Sequence, residues 1–105
     1  MGRRARQKPE RLAEKLRQIR LMLGLSQTEM LKRLEAEDVI EYNRISDYEV
    51  GSSEPTLMIL LRYARIANLY VEALIDDELD LPDKLPSARK HEGITISKSP
   101  SKKRR

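Results

Sequence analysis

Apolar residues recur along the first two thirds of the chain in short stripes of helical period. Leu12, Leu16, Ile19 and Leu23 follow one another at spacings of four, three and four, so they share one face of a helix. Pro9 suits the first turn of that helix, and Gly24 suits its end. Ser26, with Glu29 three residues on, has the form of a capping box. It opens a second short helix whose apolar side is Met30, Leu31 and Leu34. Only about three residues join the two helices, a tight helix–turn–helix connection. The stretch from Glu35 to Glu41 reads either as an extension of the second helix or as an acidic loop with Val39 and Ile40 tucked inward. A third helix over residues 42–50 turns Ile45 and Tyr48 or Glu49 inward and stops at Gly51.

After the turn Ser52–Pro55, a fourth helix starts at Thr56 and carries Leu57, Leu60, Leu61, Ala64 and Ala67. Asn68 tolerates the left-handed conformation that ends it. A last short helix, Val71–Ile75, runs into the acidic stretch from Asp76 to Asp80. The pattern predicts an all-α fold, a compact five-helix domain over residues 9–82. Residues 1–8 form a basic arm. Residues 83–105 have almost no apolar content and read as a basic, largely disordered tail. Within it, Ile94 and Ile96 alternate with Thr95 as a short strand between subunits would.

Charge sharpens this division. The 105 residues hold 21 Lys/Arg against 17 Asp/Glu, a net +4, but the signs are segregated. Residues 1–25 net +6 and residues 84–105 net +7, while residues 26–83 between them net −9. Basic ends of this kind bind nucleic acid or stand as solvated tails. Cys is absent, and the single histidine, His91, lies in the tail. Disulfides, thiolate or imidazole metal sites and Ser–His or Cys–His catalysis are therefore excluded, and no metal or cofactor is expected. The carboxylates show no paired placement, so an enzyme is not expected. No apolar run approaches the roughly 20 residues of a membrane span. The N-terminus lacks the apolar stretch of a secretory signal, so a cytoplasmic location is expected, on the nucleoid when DNA is bound.

The residues themselves say more than the pattern. Gly24-Leu-Ser-Gln-Thr-Glu-Met30, then Ile45-Ser-Asp-Tyr-Glu-Val-Gly-Ser-Ser-Glu-Pro55, resembles the lambda-repressor/Cro-like helix-turn-helix family, also called the XRE family. Leu60, Ala64, Leu74 and Ile75 continue the family's closing pattern. The resemblance covers about residues 11–76. It implies a DNA-binding regulator whose third helix enters the major groove. Carried over residue by residue, it implies that Gln27 holds a phosphate at the start of the second helix, with Thr28 beside it. Tyr42, Asn43, Arg44 and Asp47 then face outward, with Ser46 at the flank and Ser52 on the following turn. Asn pairs with adenine and Arg with guanine or a phosphate. Glu49 ties the third helix to the rest of the domain.

Two departures stand out. Seventeen residues separate Gln27 from Ile45, about four more than in the shortest members, and the glycine that usually breaks the pair is missing. The extra stretch brings Glu35, Glu37, Asp38 and Glu41 near the phosphates, where like charge costs affinity. One account has the arm residues Arg3, Arg4 and Arg6 supplying charge in an adjacent groove, while Arg17, Arg20, Lys32, Arg33 and Arg44 surround the docking face. The partners are then double-stranded DNA and a second copy of the chain, paired through Val71, Leu74, Ile75 or the Ile94–Ile96 strand. The other account has a protein-interaction module, such as an antitoxin or accessory subunit, whose C-terminal tail holds a protein partner.

Overall fold

Leu12, Leu16 and Ile19 form the buried spine on which the other helices pack. In the computed structural model, which describes residues 7–86, the elements are α1 (Leu12–Leu23), α2 (Gln27–Arg33), α3 (Arg44–Val50), α4 (Leu57–Ala67) and α5 (Val71–Ile75). The described residues contain no strand. The arm residues Arg3, Arg4 and Arg6, and the tail beyond Pro86 with Ile94 and Ile96, lie outside the described residues. α1 packs on α3, α4 and α5, while α2 packs on α3. Met30, Leu31, Ile45, Tyr48, Ile59, Tyr63 and Leu74 close the core around the spine. Each buried Leu or Ile stabilises it by roughly 1.5–3 kcal/mol.

The helix ends follow local chemistry. Ser26 Oγ accepts the Glu29 amide at 3.1 Å, and the Glu29 carboxylate accepts the Ser26 amide at 2.8 Å, closing the capping box. Gly24 and Asn68 take the left-handed conformation at the ends of α1 and α4. α1 begins later than the sequence suggests. Its N-cap is Arg11, so Pro9 stands outside the first turn, and no local side chain caps it.

Residues 35–41 are loop, which resolves the ambiguity of that stretch. Glu35 adopts φ +55°, the conformation that the missing glycine would have taken. Its amide donates to Lys32 O and that of Ala36 to Leu31 O, sealing the end of α2. Arg62 Nη1 donates to the carbonyls of Leu34 and Glu35 at 3.2 and 2.9 Å and holds this turn from α4. Ile40 packs against the core, but Val39 is 58% exposed and is not tucked inward.

α3 starts at Arg44, two residues after the sequence reading, because Tyr42 and Asn43 belong to the turn that leads into it. On α4 the buried face is Ile59, Leu60, Tyr63, Ala64 and Ala67. Leu57, expected in that face, is 82% exposed, and Leu61 is only half-buried. The physical reason is rotational. Thr56 Oγ1 accepts the Ile59 amide, and the helix so started points Ile59 and Tyr63 at the core.

Candidate nucleic-acid interface

The inward side of α3 fixes what its outward side presents. Ile45, Tyr48 and Glu49 are buried, which turns residues 43, 44, 47 and 50 away from the core. Glu49 is held by the Arg20 fork from α1: Nε donates to Oε2 at 2.7 Å and Nη2 to Oε1 at 3.0 Å. Arg20 Nη1 also donates to Leu25 O at 2.9 Å, in the turn between α1 and α2. The hydrogen bonds to Glu49 raise the Arg20 pKa further. One buried pair thus ties α1, the turn and α3 together. Arg20 is consequently spent inside the protein and does not surround the docking face.

Gln27 Nε2 donates to Glu49 Oε1 at 3.3 Å, so the first residue of α2 is keyed to α3 as well. Thr28 beside it is exposed. Tyr42 is 83% exposed, and Asn43 is exposed with no capping hydrogen bond from its side chain. Arg44 and Asp47 sit one turn apart at 3.8 Å, both partly exposed. Ser46 is half-buried at the flank. Ser52 is exposed on the turn after α3, where its amide donates to Asp47 O at 3.0 Å. Arg44 and Asp47 therefore face outward from the first turn of α3, with Tyr42 and Asn43 exposed on the turn that leads into it, whereas Gln27 turns its amide toward Glu49.

Lys15 escaped the sequence reading altogether. It is 0% exposed, and its Nζ donates to the carbonyls of Ala73, Asp76 and Leu79 at 2.8, 2.9 and 2.7 Å. Desolvation lowers its pKa. A signal existed: position 15 falls on the apolar face, at i+3 from Leu12 and i+4 before Ile19. Asp77 gave no local signal. Its carboxylate accepts the amides of Glu10 and Arg11 at 2.9–3.1 Å, across 66 and 67 positions of chain. It is the cap that α1 lacks locally. These amides hold the Asp77 carboxyl below the usual carboxylate range. Arg11 closes the latch by donating to Asp77 O and to the Asp80 carboxylate. Lys15, Arg11 and Arg20 are thus committed to structure, and among the described residues Lys8, Arg17, Lys32, Arg33, Arg44, Arg65 and Lys84 remain as exposed cations. Glu35, Glu37, Asp38 and Glu41 are all exposed on the α2–α3 loop.

The family model of the helix-turn-helix, of the XRE/lambda-repressor type, matches residues 16–74, which hold α2, α3 and the turn after them. The chain belongs to this family. Helix-turn-helix domains of this type are DNA-binding regulatory domains rather than enzymes, and here α2 and α3 are the helix–turn–helix pair. No curated protein and no solved structure matches the chain. Among the described residues no three His, Asp or Glu side chains gather as a metal site, and no helix is long and apolar enough to cross a membrane.

Proposed function

We propose that this helix-turn-helix protein is a sequence-specific transcriptional regulator, repressor-like in action, that reads the major groove with α3 and the residues leading into it. The observation that carries this reading is the division of α3. Its inner side is locked by the Arg20–Glu49 pair, and its outer edge presents Asn43, Arg44 and Asp47 with little to engage them inside the protein. Asn43 and Arg44 are the base-reading residues, with Tyr42, Ser46 and Asp47 around them. Gln27, Thr28 and Ser52 are the phosphate contacts at either side. Arg3, Arg4 and Arg6 supply charge from the arm.

The regulator acts as a homodimer, because one short recognition helix gives limited specificity. Ile75 and Leu57 are exposed and line one groove, whose rim carries Asp76 and Glu78, and these two apolar side chains are the contact we assign to the second copy. Leu74 is fully buried in the core and Val71 half-buried, so neither leads that contact.

The second reading is a protein-interaction module, such as an antitoxin or accessory subunit that engages its partner through the tail. The exposed carboxylates of the α2–α3 loop favour it. Salt separates the two readings. Affinity of the purified protein for duplex DNA falls steeply with ionic strength if phosphates are neutralised. Absence of duplex binding at low salt, with salt-insensitive capture of a protein partner, supports the module instead.

A further inference from the structure

α3 carries three charged side chains, Arg44, Asp47 and Glu49, and they are divided between its two sides. Glu49 is buried and taken by the Arg20 fork. Arg44 and Asp47 remain outside, three positions apart on one face, with Arg44 Nη1 3.8 Å from Asp47 Oδ2. Their side chains are 46% and 37% exposed, and among the described residues each is the other's one ion-pair partner. The main chain of Asp47 is held from behind, where its carbonyl accepts the amides of Ser52 and Ser53 at 3.0 and 3.4 Å. The carboxylate therefore stands at a fixed place on the outward face, beside a guanidinium that it restrains without using up. At 3.8 Å the contact is longer than a hydrogen bond, so the N–H donors of Arg44 stay free for another acceptor.

On the reading of α3 as the helix that meets base edges, we infer that Asp47 is its specificity-determining residue. It accepts the amine of a cytosine next to the guanine that Arg44 reads, and it keeps Arg44 off the phosphates. The chemistry of the two groups decides the bases. A guanidinium fork matches O6 and N7 of guanine, whereas a carboxylate only accepts, and the major-groove amine it suits is cytosine N4. Guanine or thymine in that place turns an acceptor oxygen toward the carboxylate, and adenine sets the acceptor N7 beside its amine. Each leaves Asp47 desolvated and poorly paired. With α3 lying along the groove, three residues rise about 4.5 Å, close to the base-pair step of about 3.4 Å, so the two side chains address neighbouring pairs. A phosphate is a poor alternative for Arg44, because its anionic oxygens come up against Asp47. The edge of guanine is neutral and meets no such repulsion. The pair thus gives up affinity for arbitrary DNA and gains discrimination between sequences.

The experiment selects sites from a randomised duplex library with the full chain. It then measures affinity for the selected site and for a mixed-sequence duplex across a salt series, with thermal melts in parallel. The proteins are wild type, Asp47→Ala, Asp47→Asn, Arg44→Ala, the double Arg44→Ala/Asp47→Ala, and Glu37→Ala, which removes an exposed carboxylate from the α2–α3 loop. The wild type is expected to select a guanine and a neighbouring cytosine at one fixed place in its site. Asp47→Ala loses the cytosine preference by about tenfold. It also binds the mixed-sequence duplex more tightly, with a salt slope steeper by about one as Arg44 goes to a phosphate. Asp47→Asn moves the preference from cytosine to adenine, whose N6 and N7 an amide pairs. Glu37→Ala raises affinity for both duplexes alike and leaves the selected bases unchanged. Without Arg44, Asp47→Ala raises affinity for the mixed-sequence duplex no more than Glu37→Ala does. An Asp47→Ala chain that selects the wild-type bases overturns the inference even if it binds all DNA more tightly, since the loss of any facing carboxylate does that. A wild-type site without the guanine and cytosine also overturns it, while base reading by α3 stands. A wild type that selects no sequence overturns base reading itself, and the inference with it.

Discussion

Arg20 and Glu49 meet across the α1–α3 contact in two hydrogen bonds of 2.7 and 3.0 Å, with side chains only 12% and 2% exposed. The pair, with the buried Ile45 and Tyr48, fixes which side of α3 faces outward. Removing one partner leaves the other charge buried and unpaired, which typically costs 3–5 kcal/mol. Arg20→Ala and Glu49→Ala are therefore each expected to destabilise the domain by about that much in chemical denaturation. The double replacement Arg20→Met/Glu49→Leu is expected to recover part of the loss, since it leaves no unpaired buried charge but deprives Leu25 O and the Gln27 amide of their partners. Single variants as stable as wild type contradict the role given to the pair.

Lys15 makes the same argument at the other end of α1. Lys15→Met keeps the stem in the core but leaves the carbonyls of Ala73, Asp76 and Leu79 without their ammonium. An unsatisfied buried polar group costs about 1–3 kcal/mol, so the variant is expected to lose at least about 2 kcal/mol in urea unfolding. The exchange of amide protons over residues 71–79 is expected to speed up most, because that stretch is what Lys15 gathers.

Glu35 occupies a conformation that suits glycine and carries an exposed negative charge on the loop between α2 and α3. Glu35→Gly is expected to relieve left-handed strain of about 1–2 kcal/mol, partly offset by the extra freedom of glycine in the unfolded chain. The net expectation is a small rise in melting temperature. Affinity for duplex DNA is expected to rise at low salt, and the gain to fade at high salt as charges are screened. A fall in stability contradicts the assignment of Glu35 as the glycine substitute.

The carboxylates of Asp77 and Glu29 both lie below their ordinary pKa because backbone amides donate to them. For a group whose folded pKa is depressed, the unfolded chain takes up the proton first as pH falls. Stability from these caps is thus fully present above the unfolded carboxylate values, and it is lost as pH falls through the folded ones. Asp77→Asn is expected to flatten that acid limb of a stability-against-pH curve by lowering its neutral plateau, so that the variant is less stable than wild type near neutral pH and approaches it at low pH. An acid limb identical to wild type shows that Asp77 does not titrate with folding.

The sequence is legible where a feature depends on neighbours a turn away. The α1 stripe, the Ser26–Glu29 box, and the ends at Gly24, Gly51 and Asn68 all follow from spacing, and so does the burial of Ile45 and Glu49. It is illegible where partners are far apart in the chain. Asp77 caps a helix more than sixty positions upstream, and no local pattern marks it. Leu57 has the composition of a core residue and the position of a surface one, because the start of α4 is set by Thr56 rather than by apolar content. Glu35 shows that a turn can keep its left-handed residue without glycine, given Arg62 on the carbonyls behind it. At the candidate interface the outward placement of Tyr42, Asn43, Arg44 and Asp47 was legible. The withdrawal of Arg20 and Lys15 into the protein was not, since charge alone does not say which cations are spent.

The most direct test of the central claim is selection of genomic DNA fragments by the purified protein, run beside Asn43→Ala/Arg44→Ala. Both side chains are on the surface, so the double variant folds. The account predicts that the wild type enriches one pseudo-palindromic sequence and that the double variant loses this enrichment while retaining weak, salt-sensitive binding to any duplex. Equal enrichment by both proteins, or none by the wild type at moderate salt, contradicts base reading by α3.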